Sequence, residues 1–249
     1  MVLCDIRWSL TDPSHGVPAY EAGHIPGALF VDLDRDLSGE TGPGRHPLPD
    51  PGAFLATLSR LGVTPQSEVV AYDDAMGMIA ARLWWMLRSI GHRRARLLDG
   101  GFQAWVAEGK PVETGSNDPV PAVYPGAASF SGVADREELQ GRTLVDLRAA
   151  TRYAGVEEPV DPKAGHIPGA INLPAEGNIA PDGRFLAPAT LARRYRDIGS
   201  DAVMSCGSGV TACHGVLSMV LAGRDMPDVY IGSFSEWSRL DLPVATGDL

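Results

Sequence analysis

Residues 202–213 read Ala-Val-Met-Ser-Cys-Gly-Ser-Gly-Val-Thr-Ala-Cys. The short apolar run that ends at Cys206 is typical of a buried strand, and the apolar residues from Val210 to Leu221 predict a helix. Gly207 and Gly209 allow the chain to turn tightly between the two. This stretch therefore predicts a strand, a loop and a helix. It puts the Cys206 sulfur at the helix N-terminus, where backbone N–H groups favour an anion.

This context favours a nucleophilic Cys206 over a structural one. A free cysteine is more often a small buried hydrophobe, and we interpret Cys4 and Cys213 in that way. Cys206 differs because the amides of Gly207 to Thr211 are expected to form an anion-binding nest, and thiols at helix N-termini ionise readily. We expect the Cys206 sulfur to carry either negative charge or a second sulfur atom.

The chain contains the same motifs twice, in the same order. Three pairs of segments recur: 22–28 (Ala-Gly-His-Ile-Pro-Gly-Ala) at 164–170, 3–7 at 144–148, and 100–105 at 232–237. The offset is too long for a solenoid repeat and indicates two duplicated domains. We place these at 1–112 and 132–249, joined by a linker at 113–131 that is rich in Pro, Gly, Ser and Ala.

Each half alternates strand and helix signals. The predicted strands are 68–72, 96–98, 143–147, 202–205 and 228–231, and the predicted helices are 79–90, 102–107, 189–198 and 210–221. This alternation predicts an α/β fold in which each domain is a parallel sheet flanked by helices. Ligands bind such sheets at the carboxyl ends of the strands, which is where Cys206 falls.

The two halves differ at the position of the cysteine. Aligning Val70 with Val203 puts Asp73 opposite Cys206. The loop that follows, 73–77, begins with two carboxylates that would repel an incoming anion. We therefore predict that the first domain is catalytically silent.

Composition limits the classes of function. The 249 residues carry a net charge of −10, which argues against nucleic acid as a partner. No apolar run approaches the roughly 20 residues of a membrane span, so no membrane association is expected. Three cysteines and the lack of a secretory signal favour a reducing cytoplasm. No Cys-x2-Cys pair suggests a metal, and Ala212 occupies the position of the arginine in a Cys-x5-Arg phosphate loop, which argues against phosphoryl transfer.

With these motifs the chain resembles the tandem-domain rhodanese-like sulfurtransferases, which act on thiosulfate or 3-mercaptopyruvate. The resemblance covers nearly the whole chain and includes both Gly-His-Ile-Pro-Gly-Ala segments, 81–85, 98–101 and 206–213. It implies that Cys206 takes sulfur from a small anionic donor as a persulfide and passes it to cyanide, a thiol or thioredoxin, without metal or organic cofactor. A persulfide carrier without turnover, or a binding module for a sulfur-trafficking partner, stays open as the alternative.

The resemblance also implies roles for individual residues. The loop residues Gly207, Gly209, Val210 and Thr211 would bind the substrate. Ser208 corresponds to the family's loop serine, His24 to the histidine that pairs with it, and Asp12 is the nearest candidate for the acid of that triad. A competing interpretation is that His24 braces a turn through ring hydrogen bonds, because His166 has the same sequence context.

The sequence gives conflicting indications about the donor. Arg152 matches a substrate-anion arginine of the family, and its planar guanidinium suits a carboxylate or sulfonate; the competing interpretation is a surface ion pair with Glu157 or Glu158. Mercaptopyruvate enzymes usually carry a second arginine further on, where this chain has Val160 or Asp161. The missing arginine favours thiosulfate, whereas the uncharged loop after the cysteine favours 3-mercaptopyruvate. The Gly- and Pro-rich segment 39–50 is given no role.

Overall fold

A computed structural model describes residues 1–126 and 129–247. The chain forms two compact units. The first comprises Met1–Gly39, Leu48–Ser131 and Pro181–Phe185, and the second comprises Glu40–Pro47, Gly132–Ala180 and Leu186–Leu249. The sequence does not predict that segment 181–185 belongs to the first unit or that segment 40–47 belongs to the second. The sequence places segment 40–47 in the first domain, whereas in the structure it packs as part of the second unit.

The α/β fold with two parallel sheets is confirmed. The first unit contains β1 (Val2–Asp5), β2 (Leu29–Phe30), β3 (Val69–Tyr72) and β4 (Ala95–Leu97) in the order β2-β1-β3-β4, all parallel. The second contains β5 (Leu144–Asp146), β6 (Ile171–Asn172), β7 (Val203–Ser205) and β8 (Asp228–Val229) in the order β6-β5-β7-β8, also parallel. Leu3 pairs with Val70 and Leu144 pairs with Val203, so the two sheets share one register. This register agrees with the alignment that puts Asp73 opposite Cys206.

Helices flank both sheets. The first unit has α1 (Gly16–Ala22), α2 (Leu33–Leu37), α3 (Pro51–Arg60), α4 (Ala81–Ser89) and α5 (Gly101–Ala107). The second has α6 (Ala150–Tyr153), α7 (Pro188–Arg194), α8 (Val210–Leu221) and α9 (Ser233–Trp237), with 3-10 turns at Arg136–Leu139 and Ala175–Asn178. Helix α8 has the predicted bounds. In the part of the chain that the structure describes, no helix combines the length and apolarity needed to cross a membrane.

The sequence analysis did not predict helix α3, although a local signal for it exists. Its N-cap is Asp50, whose carboxylate accepts hydrogen bonds from the N–H groups of Gly52 and Ala53, and Pro51 occupies the first helical position. An acidic N-cap followed by proline is a common start of a helix. The helix therefore begins where the predicted loop 39–50 ends.

The second unit's core extends directly beneath the cysteine loop. Strand β7 is buried throughout, and Val203 lies in a cluster with Tyr230 and Phe234, each at most 1 % exposed. The N–H of Phe234 donates to the carbonyl of Cys206 at 3.1 Å. The apolar core thereby fixes the backbone from which the cysteine projects.

Candidate active site

Cys206 lies at the carboxyl end of β7, an inner strand of the second sheet. The chain reaches α8 through Gly209, whose φ of +74° is left-handed. A Cβ at Gly209 would lie 2.5 Å from the carbonyl oxygen of Ile231, so both the conformation and the space require glycine. Cys206 is 3 % exposed, whereas Cys4 and Cys213 are fully buried.

Residues at the start of α9 form hydrogen bonds with the backbone of this loop. The N–H of Cys206 donates to Oγ of Ser233 at 3.1 Å, and that hydroxyl donates to the carbonyl of Tyr230 at 2.8 Å. The N–H of Ser235 donates to the carbonyl of Gly207 at 2.8 Å. Ser233 is fully buried and has a φ of +51°, a conformation that side chains other than glycine rarely adopt. The cysteine backbone is thus fixed by direct hydrogen bonds at a strained position.

The loop amides on the other side have no acceptor. Among the described residues, the N–H groups of Gly207, Ser208, Val210 and Thr211 donate no hydrogen bond. The helix N-cap, Gly209, has no side chain that could cap them. The structure therefore leaves the amides of Gly207, Ser208, Val210 and Thr211 as free donors beside Cys206, which suits a bound anion.

Ser208 forms a hydrogen bond with a histidine that the sequence analysis did not select. Oγ of Ser208 and Nδ1 of His46 are 2.8 Å apart, and both side chains are buried. His46 lies in segment 40–47, which belongs to the second unit. A serine beside a histidine can exchange a proton, so this pair is the acid–base candidate of the site.

The predicted partners of Ser208, His24 and Asp12, have their observed contacts elsewhere. Nδ1 of His24 bonds the carbonyl of Tyr20 at 2.9 Å, and its ring stacks on Tyr20 with centroids 4.0 Å apart. His166 repeats this arrangement, with its Nδ1 2.8 Å from a tyrosine carbonyl and stacked centroids 3.7 Å apart. Asp12 is exposed and accepts hydrogen bonds from Ser14. These contacts support the turn-bracing interpretation of His24.

Two arginines approach the cysteine loop. The Cβ that Gly207 lacks would lie 2.9 Å from Nη2 of Arg45 and 3.6 Å from Nη1 of Arg152. Arg152 also forms the predicted ion pair with Glu158, with its Nη2 2.7 Å from the carboxylate. This pair does not remove Arg152 from the loop, because Nη1 faces Gly207 while Nη2 binds Glu158. The ion pair with Glu158 is therefore observed, and it leaves Nη1 of Arg152 at the loop.

Buried carboxylates hold these arginines in place. Asp161, whose side chain is inaccessible, pairs with Nη1 of Arg45 and lies 3.2 Å from Nη2 of Arg152. Burial by itself would raise the pKa of Glu158, but the hydrogen bond and the charge of Arg152, with backbone N–H donors, outweigh it and lower that pKa. The side chains of Asp161 and Glu158 therefore hold the guanidinium groups of Arg45 and Arg152 in position.

In the equivalent loop of the first unit, the side chain of Asp73 accepts hydrogen bonds from the loop amides. Oδ1 of Asp73 accepts the N–H groups of Ala75 and Gly77, and Oδ2 accepts those of Ile79 and Ala80, at 2.7–2.9 Å. Asp73 is fully buried, and burial raises its pKa against these four hydrogen bonds. No amide of this set is left for a ligand. Within residues 1–126 and 129–247, no group of His, Cys, Asp and Glu is arranged to hold a metal ion.

Arg45 and His46 were not predicted from the sequence. Their signal was a basic pair inside a Gly- and Pro-rich loop, and loops often carry functional side chains. The contacts of this pair with Asp161 and Ser208 span more than a hundred residues of sequence. No local pattern could reveal them.

Comparison with known proteins supplies the wider context. A sequence model of the rhodanese-like domain matches residues 1–108 and 131–240. The "Probable 3-mercaptopyruvate sulfurtransferase" of Pseudomonas aeruginosa is 43% identical over 264 residues, covering 100% of this chain and 93% of that protein. The thiosulfate sulfurtransferase of Mus musculus is 35% identical over 250 residues, covering 94% and 84%. The solved structure of 3-mercaptopyruvate sulfurtransferase from Leishmania major superposes with a TM-score of 0.88 at 32% identity, covering 97% of this chain and 71% of that one.

Proposed function

This chain belongs to the tandem rhodanese-domain sulfurtransferases, and we propose that Cys206 is the residue that carries the sulfur, as a persulfide. The observation that supports this assignment most is the set of unused amide donors in the loop after Cys206. Such donors stabilise a thiolate or a persulfide anion without reorganisation. Asp73, at the equivalent position of the first unit, offers no sulfur nucleophile.

The proposed reaction has two half-reactions. With thiosulfate, the Cys206 thiolate attacks the outer sulfur, the S–S bond of the donor breaks, and its electron pair leaves with sulfite. The product is a Cys206 persulfide anion. An acceptor such as cyanide then attacks the terminal sulfur, leaves as thiocyanate and restores the thiolate. Covalent transfer of this kind gives ping-pong kinetics.

With 3-mercaptopyruvate the reaction also requires a proton transfer. Attack on the donor sulfur breaks its C–S bond, and the electron pair forms the enolate of pyruvate. The proton of the donor thiol must reach the enolate carbon to complete pyruvate. We propose that Ser208, with His46 behind it at 2.8 Å, relays this proton. In this proposal His46 takes the role that the resemblance gave to His24.

The donor, the acceptor and the compartment are further proposals. Arg152 supports an anionic donor, either thiosulfate or 3-mercaptopyruvate, and relatives named for each donor match this chain. Thiols, thioredoxin among them, and cyanide are the acceptors that the chemistry admits. The three free cysteines fit a reducing compartment such as the cytoplasm. Because the matching relatives are named as enzymes, the alternative of a carrier without turnover is not favoured.

The test uses Cys206→Ser beside Cys4→Val. Valine is the residue that the second repeat has where the first has Cys4, so that variant is the matched control. We expect Cys206→Ser to lose at least about a thousandfold in thiocyanate formation with either donor, because the nucleophile is gone. We expect the control to keep its rate. Mass spectrometry of the wild-type protein after donor treatment should find one added sulfur on the peptide that contains Cys206.

Substantial turnover by Cys206→Ser, or an added sulfur on another residue, would refute the assignment. A single equivalent of thiocyanate per chain would favour the carrier alternative. Comparing kcat/KM for thiosulfate and 3-mercaptopyruvate in the same assay identifies the preferred donor.

A further inference from the structure

We propose that Arg45 is the second arginine of the donor site, and that Arg45 and Arg152 together bind the donor's carboxylate or sulfonate over Gly207. The inference rests on the proposed role of Cys206. It adds a specificity-determining residue from a segment distant in sequence.

The position of Arg45 is built into the second unit. Its N–H donates to Oγ of Ser235 at 3.0 Å, and the N–H of Ser235 itself holds the carbonyl of Gly207. The preceding residue, Gly44, has a φ of +76°, and a Cβ there would lie 2.5 Å from the carbonyl oxygen of Gly232. The segment that carries Arg45 is thus fixed to the same residues that fix the cysteine loop.

The guanidinium of Arg45 has one anchored side and one free edge. Nη1 pairs with Asp161, and the side chain as a whole is 18% exposed. Nε is buried and has no hydrogen-bond partner, and Nη2 makes no hydrogen bond among the described residues. Nε and Nη2 form the edge that offers two parallel donors, which is the geometry that binds a carboxylate bidentately. Nη2 points to the position of the absent Gly207 Cβ.

Arg152 presents a second free nitrogen to the same place. Its Nε and Nη2 are bound to Glu158 and Asp161, while Nη1 faces Gly207. Asp161 lies between the two guanidinium groups and holds them near each other. The free nitrogens therefore converge over the residue that follows Cys206.

The free guanidinium donors favour an anion at this point. An anionic group over Gly207 would accept hydrogen bonds from Nη2 of Arg45 and Nη1 of Arg152, and the rest of the donor would lie beside Cys206. A side chain at Gly207 would occupy that space, so the glycine is part of the same site.

The experiment compares Arg45→Met with Arg239→Met. Both variants remove a cation from Asp161, since Nη1 of Arg239 lies 3.9 Å from that carboxylate. Only Arg45 faces Gly207. We expect Arg45→Met to raise the KM of the anionic donor by about tenfold or more, with a smaller change in kcat, because a charged hydrogen bond is lost. Arg239→Met should change KM less than about threefold.

Arg45→Lys covers the case in which Arg45→Met does not fold. Lysine keeps the charge beside Asp161 but loses the two parallel donors, and we expect KM to rise severalfold. Parallel assays with 3-mercaptopyruvate and thiosulfate show whether the bound group is a carboxylate or a sulfonate. Labelling of Cys206 by the neutral reagent iodoacetamide should keep the wild-type rate in all three variants.

The outcomes separate this inference from the proposed function. If the wild-type protein forms the Cys206 persulfide and Arg45→Met keeps its KM, Arg45 is not part of the donor site. Equal rises of KM in the Arg45→Met and Arg239→Met variants would overturn the inference too, because the cause would be the loss of a partner for Asp161. If wild-type Cys206 gains no sulfur from either donor, the proposed function itself has failed.

Discussion

Asp73 and Cys206 follow equivalent strands, β3 and β7, yet the amides of the loops that follow them differ in whether they have an acceptor. In the first unit the loop amides converge on the carboxylate of Asp73. In the second the loop amides beside Cys206 are unused among the described residues. The same fold thus places a set of backbone amide donors at the end of this strand in both units. The difference is that a side chain of the chain itself accepts them in the first unit, whereas those of Gly207, Ser208, Val210 and Thr211 have no acceptor among the described residues.

Loop length contributes to this difference. Eight residues separate β3 from α4, whereas four separate β7 from α8. The longer loop supplies four donors, two to each carboxyl oxygen of Asp73. The shorter loop leads directly to the N-terminus of α8, and its amides at Gly207, Ser208, Val210 and Thr211 have no acceptor among the described residues. We therefore expect Asp73 to contribute to stability and Cys206 to chemistry.

The largest effect is expected for Asp73→Ala. It should lower the free energy of unfolding by about 3–5 kcal/mol, because four buried amides lose their acceptor and the loop relaxes only in part. The rate of sulfur transfer per folded molecule should stay within about twofold of wild type at 25 °C. Chemical denaturation and an activity assay measure the two quantities.

Asp74→Ala is the control for that variant. The Asp74 carboxylate forms a part-exposed pair with His15 at 2.9 Å, so its loss should cost at most about 1 kcal/mol. Equal costs for the two substitutions would show that the filled loop contributes no special stability. A hundredfold loss of activity in Asp73→Ala would show that the first unit takes part in the chemistry.

A smaller effect is expected where α5 and α9 begin. Gly101 and Ser233 are equivalent, with φ of +57° and +51°, but only the serine has a side chain that binds the N–H of Cys206. Ser233→Ala keeps the left-handed strain and loses the acceptor, and should cost about 1–2 kcal/mol of unfolding free energy. Ser233→Gly also loses the acceptor but relieves the strain, so it should be about 1 kcal/mol more stable than the alanine variant.

Urea denaturation of the two variants measures this difference, and the rate of Cys206 alkylation serves as the second measurement. Both variants should change that rate alike, because both release the same N–H. An alanine variant as stable as the glycine variant would mean that Ser233 is not strained. The second unit would then differ from the first at this point only in its hydroxyl.

Local patterns in the sequence explain what could be predicted. Helix α8 was predicted to its end residues, because glycines mark its start and apolar residues continue without interruption to Leu221. The cysteine loop is a run of consecutive residues, so its members could be identified together. Helix α3 was not predicted because the loop interpretation of segment 39–50 extended to Asp50, although Asp50 and Pro51 together are a helix start.

The remainder of the candidate site depends on tertiary contacts. His46 binds Ser208, and Arg45 binds Asp161, across large distances in sequence. A single sequence carries no sign of such pairs, whereas the resemblance to the family suggested His24 as the partner of Ser208. The recurrence of the same contacts at His166 indicates that they belong to the repeat that both units share.

The smallest expected effect concerns acid stability, where the pKa shifts of Asp5 in the first unit and Glu158 in the second have opposite signs. Burial raises the pKa of Asp5 in spite of its hydrogen bonds with Arg7. For Glu158, burial is outweighed by Arg152, and the pKa is lowered. A carboxyl with a lowered folded-state pKa stabilises the fold above its unfolded pKa, and that stability is lost as pH falls toward the folded-state value. A raised pKa has the opposite effect, since the stability it contributes at low pH is lost as pH rises.

Acidification below the ordinary glutamate pKa of about 4.3 should therefore remove the contribution of Glu158 and not that of Asp5. We expect the unfolding free energy of Glu158→Gln to fall less steeply than that of the wild-type protein between about pH 5 and pH 3. Glu157→Gln, at an exposed neighbouring position, should follow the wild-type slope. Denaturation curves across this range measure the three slopes. If Glu158→Gln and wild type lose stability in parallel, then the pairing with Arg152 does not stabilise the folded second unit, and its function is limited to orienting the guanidinium toward Gly207.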